Sequence, residues 1–159
     1  MESVTIISEA FNKGDIIPVE YTCDGRDRSP QLSWTGVPGN TESIALVMYD
    51  PDAPGRSFIH WVIYNISPSI RGLPKWLPNT PKLTNWPFGD VAYQALNDFG
   101  NVGYGGPCPP PGKPHRYIFK VYALGMTLDI PPGTSNKYVR QYMEGDILTT
   151  GELMGIYGR

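Results

Sequence analysis

The sequence lacks the features that would direct the protein to a membrane or to nucleic acid. It has no apolar run near the ~20 residues that a membrane-spanning helix needs. Its 13 Lys and Arg residues are dispersed and its net charge is −2, whereas nucleic-acid-binding proteins usually carry a basic stripe and membrane-surface binding needs clustered positive charge. We therefore predict neither stable membrane insertion nor a nucleic-acid partner. The first residues also lack the basic and apolar regions of a secretion signal, which predicts a cytoplasmic protein.

Cysteine is scarce as well. The chain has two cysteines, Cys23 and Cys108, and neither belongs to a CxxC pair, which disfavours a structural zinc site. For a cytoplasmic protein of a mesophile we expect two free thiols. A disulfide, which is less rare inside the cells of thermophiles, is the alternative. We predict no metal and no cofactor.

The chain also has only two histidines, and both lie beside segments rich in proline and glycine. His60 closes a stretch that starts with Asp50-Pro51-Asp52-Ala53-Pro54, and His115 follows a run of glycines and prolines over residues 103–114. Imidazole can donate or accept a hydrogen bond, bind metal or carry charge near neutral pH. Their positions predict one shared site built from separate loops.

Glycine and proline are abundant, with 18 and 17 residues out of 159, while the hydrophobic content is 40%. Disorder would require low hydrophobicity, so this composition predicts many turns that join short strands in one domain, residues 1–159. Apolar or alternating runs predict strands at 43–49, 59–66 and 115–124, and weaker ones near 5–8, 17–22, 31–34 and 153–157. In the run 115–124, alternation places His115 and Tyr117 on the same face as the core residues.

One helix is expected after Pro131-Pro132-Gly133, with Thr134 or Ser135 as its cap and Gly145 at its end. Its apolar stripe is predicted to pack on the core, and consists of Tyr138, Val139, Tyr142 and Met143.

The segment Pro68–Phe88 is predicted to be a long irregular loop because it contains five prolines. Its tryptophans favour an ordered loop packed on the body of the protein. Trp76 and Trp86 are therefore candidates for a partner interface.

Two carboxylates precede His60. Pro51 and Pro54 hold Asp50 and Asp52 by limiting the freedom of the backbone, and a carboxylate near His60 would fix its tautomer and favour its protonated form. The motif taken alone is also compatible with an ordinary turn.

The second candidate element is the glycine- and proline-rich loop before His115. Glycines such as Gly106 allow close approach, and a loop stiffened by Pro107 and later prolines can aim backbone N–H groups at an anion. His115 and Tyr117 would add side-chain donors. A rigid connection with a satisfied core histidine is the alternative.

Several motifs, taken in order, resemble the phosphatidylethanolamine-binding protein family, and especially its bacterial and archaeal branch. They are YTCDG, SPQLSW, DPDAP, IHWVIYNI, NDFG and YGGPCPPPGKPHRY, and they span nearly the whole chain. The resemblance implies a mainly β fold, a Greek-key antiparallel sandwich with one or two short helices and long proline-rich loops. It also implies a pocket for phosphate or a phospholipid head group, formed by Asp50, Asp52, His60, Gly106, Pro107, His115 and Tyr117.

Family members are inhibitors of proteases and modulators of kinase signalling. We therefore expect a non-catalytic, anion- or phosphoryl-binding regulatory protein without catalytic residues, acting as a protease inhibitor through exposed rigid loops. Oligomer formation is left open. The alternative is a hydrolytic enzyme that uses the Asp/His site, with a metal or with Cys108 as nucleophile.

The acidic side chains create an electrostatic difficulty for anion binding. One like-charge pair at ~4 Å costs about 4 kcal/mol at an effective dielectric constant of 20. Our hypothesis is that His60 and His115 are protonated donors, so that anion binding weakens as the pH rises past their pKa values.

Overall fold

The computed structural model describes residues 3–84 and 92–159. These residues form nine β-strands, one α-helix and two short 3-10 helices. The strands are β1 (Thr5–Ile7), β2 (Leu32–Thr35), β3 (Ser43–Asp50), β4 (Phe58–Ile66), β5 (Gly72–Leu73), β6 (Lys82–Leu83), β7 (Ala92–Gln94), β8 (His115–Leu124) and β9 (Ile147–Tyr157), and the helix is α1 (Asn136–Met143).

The strands build two antiparallel sheets. The large sheet has the order β6-β7-β4-β3-β8-β9, and the small sheet has the order β1-β2-β5. A continuous apolar core fills the space between them, with Ile6 and Trp34 from the small sheet and Leu46, Trp61 and Phe119 from the large one. This arrangement confirms the predicted mainly β sandwich. Within the described ranges, no helix has the length and apolar character needed to cross a bilayer.

Strand β3 lies at the centre of the large sheet and is buried on both faces. Leu46 and Met48 face the small sheet, whereas Val47 belongs to a second apolar cluster on the opposite face, together with Val139 and Met143 of α1. This double burial explains the nearly continuous apolar run in the sequence. Buried and less buried residues alternate along β8 as predicted, and its first residue, His115, lies beside the end of β3.

Helix α1 occupies the predicted position, but its apolar stripe is narrower than predicted. Val139 and Met143 are buried, whereas Tyr138 and Tyr142 are 54% and 43% exposed. A helix of eight residues that rests on a sheet buries only the line of residues that faces the sheet.

The ends of α1 also differ from the prediction. Neither Ser135 nor any other side chain caps the first turn; Thr134 Oγ1 donates to the carbonyl of Pro131, and Asn136 Nδ2 holds the first turn to the carbonyl of Leu96. At the other end a 3-10 turn, Glu144–Asp146, continues through Gly145.

Two strand predictions are corrected. Residues 17–22 form no strand, because Pro18 has no N–H to donate and a 3-10 turn, Val19–Tyr21, follows it. Strand β9 begins at residue 147 instead of near 153. Gly151 obscures its pattern in the sequence, but a side chain at that position would overlap the carbonyl oxygen of Val4 where β1 crosses β9.

The proline-rich segment is more regular than predicted, because β5 and β6 join it to the small and the large sheet. Gln94 holds the segment in place: its Nε2 donates to the carbonyls of Pro78 and Thr80, and its Oε1 accepts from Trp61 Nε1. Trp76 is half-buried here. Trp86 lies outside the described residues, so its role at a partner interface stays a prediction.

Candidate functional site: a small cavity at the strand ends

A cavity of about 140 Å³ lies where β3 ends and where β4 and β8 begin. Its polar lining residues come from three strands, and they are Asp50, His60, His115 and Tyr117. The rest of its lining is apolar, and consists of Ala53, Pro54, Phe58, Phe99, Cys108, Pro109 and Pro110. The structure thus brings together four of the seven residues that the sequence assigned to a pocket.

The two histidine rings both contact the ring of Tyr117. The ring centroid of His60 is 5.4 Å from that of Tyr117 in an edge-on arrangement, and the centroid of His115 is 6.5 Å away in a stacked arrangement. His115 Nδ1 donates to Asp50 Oδ2 at 2.6 Å, while Asp50 Oδ1 accepts from the N–H of Asp52 at 2.8 Å. Asp50 is buried, and these two bonds fix its orientation and that of His115.

His60 is held in a different way. Its Nδ1 lies 2.7 Å from the carbonyl oxygen of Gly105, which can only accept, so Nδ1 carries a proton. Burial lowers the pKa of His60, and this effect exceeds the opposing effects of the Gly105 carbonyl and the Asp50 charge. The ring is therefore neutral at pH 7 and its Nε2 is an acceptor. The hypothesis of two protonated histidines is wrong for His60.

Tyr117 carries a hydroxyl group that the protein does not satisfy. The side chain is fully buried, and its oxygen has no hydrogen-bond partner among the described residues. Burial, followed by the negative charge of Asp50 and a weak contact of the hydroxyl with the Asp50 carboxylate, raises the pKa of Tyr117 well above its ordinary value, so the phenol keeps its proton. That contact does not reach the geometry of a hydrogen bond. An unpaired buried hydroxyl is costly, and Tyr117 is also one of the residues that line the cavity.

Asp52 does not line the cavity. Its carboxylate accepts hydrogen bonds from the backbone N–H, Nε and Nη2 of Arg116 at 2.9, 3.0 and 2.9 Å. These contacts hold the pKa of Asp52 at about 2, chiefly through the guanidinium hydrogen bonds. Asp52 therefore pins the loop after β3 to β8, and its N–H positions Asp50.

Gly106 and Pro107 also do not line the cavity. The N–H of Gly106 donates to Asp27 Oδ1 at 2.8 Å, and the carbonyl of Pro107 accepts from the N–H of Cys23 at 3.1 Å. A side chain at position 106 would overlap the carbonyl oxygen of Tyr21. This part of the loop thus packs against residues 21–27 instead of directing its N–H groups at a ligand.

Sequence reasoning missed the aromatic side of the cavity. The ring centroids of Phe58 and Phe99 lie 4.7 Å apart, and the ring centroid of Phe99 lies 5.3 Å from that of His60. Phe58 could have been found, because it stands two residues before His60 on one strand and so on the same face. Phe99 lies in the NDFG turn, which the sequence linked to the family without a position at the cavity.

The two cysteines form a disulfide, Cys23–Cys108, so the expectation of free thiols is wrong. They are 85 residues apart in the sequence, and spacing alone does not reveal such a pairing. Cys108 lines the cavity, and while the bond is intact it is not a free nucleophile. Within residues 3–84 and 92–159, no group of three or more His, Cys, Asp or Glu side chains is placed to hold a metal ion.

A second candidate feature is a group of three cations around Trp76, and none of its residues lines the cavity. The cationic groups of Arg26, Arg28 and Lys75 lie 5.7, 5.7 and 4.6 Å from the centroid of its ring. None of these three cations has a carboxylate partner within 4.0 Å in the described part of the chain. Trp76 also has a φ of +65°, which is rare for a large side chain, and Arg28 Nη2 donates to its carbonyl.

Comparison with known proteins gives consistent results. Residues 7–158 match the family model described as phosphatidylethanolamine-binding protein. A UPF0098 protein of Methanothermobacter thermautotrophicus is 49% identical over 152 residues, which cover 96% of this chain and 97% of the relative. A UPF0098 protein of Aquifex aeolicus is 46% identical over 97% of this chain and 88% of its own length.

Two solved structures have the same fold. Escherichia coli YbcL, described as a member of the mammalian phosphatidylethanolamine-binding protein family, superposes with a TM-score of 0.89 at 34% identity and covers 99% of both chains. A homologue of these proteins from Chlamydia trachomatis has a TM-score of 0.84 at 36% identity, over 100% of this chain and 99% of its own.

Proposed function

Because the chain belongs to the phosphatidylethanolamine-binding protein family, which has a ligand-binding fold, we propose that its cavity binds the phosphoryl group of a small ligand without catalysing a reaction. The observation that carries the proposal is the unpaired hydroxyl of Tyr117, whose ring contacts both histidine rings. A ligand that accepts from this hydroxyl would satisfy a polar group that the protein leaves without a partner.

The polar groups favour one protonation state of the ligand. His60 Nε2 accepts a hydrogen bond, whereas Tyr117 can donate; His115, whose Nδ1 proton is given to Asp50, donates to a ligand only when its Nε2 also carries a proton. A phosphate monoester with one proton has both a P–OH donor and P–O⁻ acceptors, so it matches this set. The dianion has no proton for His60, and its second charge adds repulsion from the buried Asp50.

The size of the cavity fits a head group and not a whole ligand. Its volume of about 140 Å³ is well below the ~300–1,000 Å³ of pockets that enclose drug-sized molecules. The phosphoryl group would enter the cavity, and the remainder of the ligand would lie outside, near the partly exposed Phe99.

The contacts of the acidic and thiol groups favour binding over hydrolysis. Asp50 is tied to His115 and Asp52, and Asp52 is tied to Arg116, so neither carboxylate is free to act as a base. Cys108 is bonded to Cys23. No contact among the described residues favours the hydrolytic alternative, and the absence of catalysis is part of the proposal.

The residues around Trp76 support a second role, the docking of a partner protein. Three unpaired cations beside one indole ring, in a chain of net charge −2, are complementary to an acidic segment of another protein. Inhibition of a protease through this segment remains a prediction, as does a cytoplasmic location.

Calorimetric titration with two matched ligands tests the phosphoryl proposal. O-phosphoethanolamine and ethanolamine O-sulfate have similar shapes, but the sulfate ester has no acidic proton near neutral pH. At about pH 5.5, where the phosphate ester is mainly monoanionic because its second pKa is about 6, we expect it to bind at least about tenfold tighter than the sulfate ester. That preference should shrink near pH 8, and the variant His115→Gln should bind both ligands weakly. Equal affinity for the two esters at pH 5.5 would contradict the proposed hydrogen-bond set.

A further inference from the structure

One cysteine of the disulfide, Cys108, is part of the wall of the cavity. Cys108, Pro109 and Pro110 are consecutive residues that all line it. Cys108 is exposed, and Cys23 is partly exposed. We call residues 105–112 the proline loop. A covalent bond that is open to solvent therefore holds the part of the proline loop that closes the cavity.

The proline loop has few other attachments. Pro107, Pro109, Pro110 and Pro111 have no N–H to donate, so half of the eight residues of the loop lack a backbone donor. At the two ends of the loop, Gly105 and Gly106 form hydrogen bonds with His60 and Asp27, and the N–H of Gly112 donates to the carbonyl of Arg159 at 3.2 Å. Between these ends the hydrogen bonds are the N–H of Cys23 to the carbonyl of Pro107 and Arg159 Nε to the carbonyl of Pro109 at 2.8 Å. The disulfide is the covalent restraint on this middle part, which lines the cavity.

The other end of the disulfide is anchored independently. Thr22 Oγ1 donates to the carbonyl of Val19, and Tyr104 Oη donates to the carbonyl of Tyr21 at 2.6 Å inside the core. Asp24 is held by Tyr157 and Arg159. These contacts do not depend on the disulfide, so its cleavage would release the Cys108 side while the Cys23 side stays in place.

We infer that the Cys23–Cys108 bond is a site of thiol–disulfide exchange that controls the ligand cavity. The co-reactant is a low-molecular-weight thiol of the glutathione class. Its thiolate attacks Sγ of Cys108, which belongs to the more exposed of the two residues, and forms a mixed disulfide as the Cys23–Cys108 bond breaks. Cys23 leaves as a thiolate and takes up a proton. A second thiol then attacks the small-molecule sulfur of the mixed disulfide and releases the Cys108 thiol, so two small thiols are oxidised as one protein disulfide is reduced.

The effect of the exchange on ligand affinity rests on the proposed ligand function. In the oxidised protein, Cys108, Pro109 and Pro110 close the cavity beside Tyr117 and His115. In the reduced protein the proline loop keeps only its few hydrogen bonds, so it moves and the cavity opens. The oxidised form binds the phosphoryl ligand, and the reduced form binds it weakly.

Two measurements on the full chain test the inference. Incubation with reduced glutathione, followed by mass spectrometry, should detect the mixed disulfide on Cys108 in preference to Cys23 under native conditions. Hydrogen–deuterium exchange should become faster in peptides that cover residues 105–112 after reduction, while peptides from β3 and β8 stay protected. The double variant Cys23→Ser/Cys108→Ser should resemble the reduced protein, and glutathione should not change it further.

Titration with O-phosphoethanolamine before and after reduction gives the functional result. We expect at least about a tenfold loss of affinity on reduction. Reduction that proceeds only at the rate of global unfolding, or unchanged exchange in residues 105–112 after complete reduction, would overturn the inference. If the oxidised protein binds no phosphate ester but reduction still accelerates exchange in the proline loop, the ligand proposal fails and the exchange site stands.

Discussion

His60 and His115 line the same cavity but have different partners, and the partner decides what each ring can do. Burial keeps His60 neutral against the opposing effect of the Gly105 carbonyl, and because Nδ1 donates to that carbonyl, Nε2 is left as an acceptor. His115 donates to Asp50, a carboxylate. Together with the unpaired hydroxyl of Tyr117, these rings give the cavity both donors and acceptors. This mixture of groups is the chemical basis for expecting a phosphate with one proton.

The lowered pKa of His60 predicts how stability changes with pH. The unfolded chain binds a proton to this residue near pH 6.5, whereas the folded protein does so only at lower pH. Its contribution is therefore complete above about pH 6.5 and is lost as the pH falls through the folded pKa, by at most ~1.4 kcal/mol per pH unit.

Urea unfolding of the wild type and of His60→Gln at about pH 7.5 and about pH 5.5 measures this contribution. The variant should lose less stability over the interval than the wild type. Asp52 does not confuse the comparison, because its pKa of about 2 places its effect below this window. Identical losses in the two proteins would show that His60 is not held neutral.

Gly106 is needed for close packing at the base of the proline loop. In Gly106→Ala the new methyl group would overlap the carbonyl oxygen of Tyr21 and lie 2.5 Å from Asp27 Oδ1. We expect a loss of about 1–3 kcal/mol in the free energy of unfolding. Gly39→Ala is the matched control, since no atom lies within 4 Å of that added methyl group, and its effect should be within ~0.5 kcal/mol. Equal stabilities of the two variants would contradict the packing described for this loop.

Among the structural elements, the proline-rich segment is attached to the large sheet through one buried side chain. Gln94 connects Trp61 of β4 to the carbonyls of Pro78 and Thr80. Its own N–H donates to the carbonyl of Pro81. The segment therefore lies on the large sheet through polar contacts that a hydrophobic pattern does not display.

Replacing Gln94 by Leu leaves the Trp61 N–H and two carbonyls without their partners. The Trp61 N–H is fully buried, and an unsatisfied buried group costs about 1–3 kcal/mol, so we expect about 1–3 kcal/mol of destabilisation in urea unfolding. The same substitution at the exposed Gln141 on α1 serves as the control and should change stability little. A Gln94→Leu protein as stable as the Gln141→Leu protein would contradict the role assigned to this side chain.

The elements differ in how well the sequence predicts them, for physical reasons. Strands β3 and β8 are predictable because burial on both faces or on one face leaves a continuous or an alternating pattern. Residues 17–22 have β-like composition, but Pro18 prevents pairing. Most of β9 cannot be recognised from the sequence, because Gly151 and Gly155 interrupt its apolar pattern. These glycines leave room for neighbouring backbone and side chains.

At the scale of the whole molecule, the site is the meeting point of segments far apart in the sequence. Asp50, His60, His115 and Tyr117 were predictable because they lie at the ends of strands that pair side by side. Asp52 and Gly106 are near them in sequence, yet they face Arg116 and Asp27 instead of the cavity. Proximity in the sequence does not show which way a loop residue faces. The pairing of Cys23 with Cys108 could not be predicted either, because only the complete fold brings the two residues together.

The hydroxyl of Tyr117 gives the most direct test of the central claim that the cavity binds a phosphoryl group. In Tyr117→Phe an unpaired buried hydroxyl is removed, so the free protein should become more stable by about 1 kcal/mol. Affinity for O-phosphoethanolamine near pH 5.5 should fall about tenfold, while the exposed control Tyr138→Phe changes neither quantity. A Tyr117→Phe protein that is less stable and binds the ester as tightly as the wild type would contradict the account.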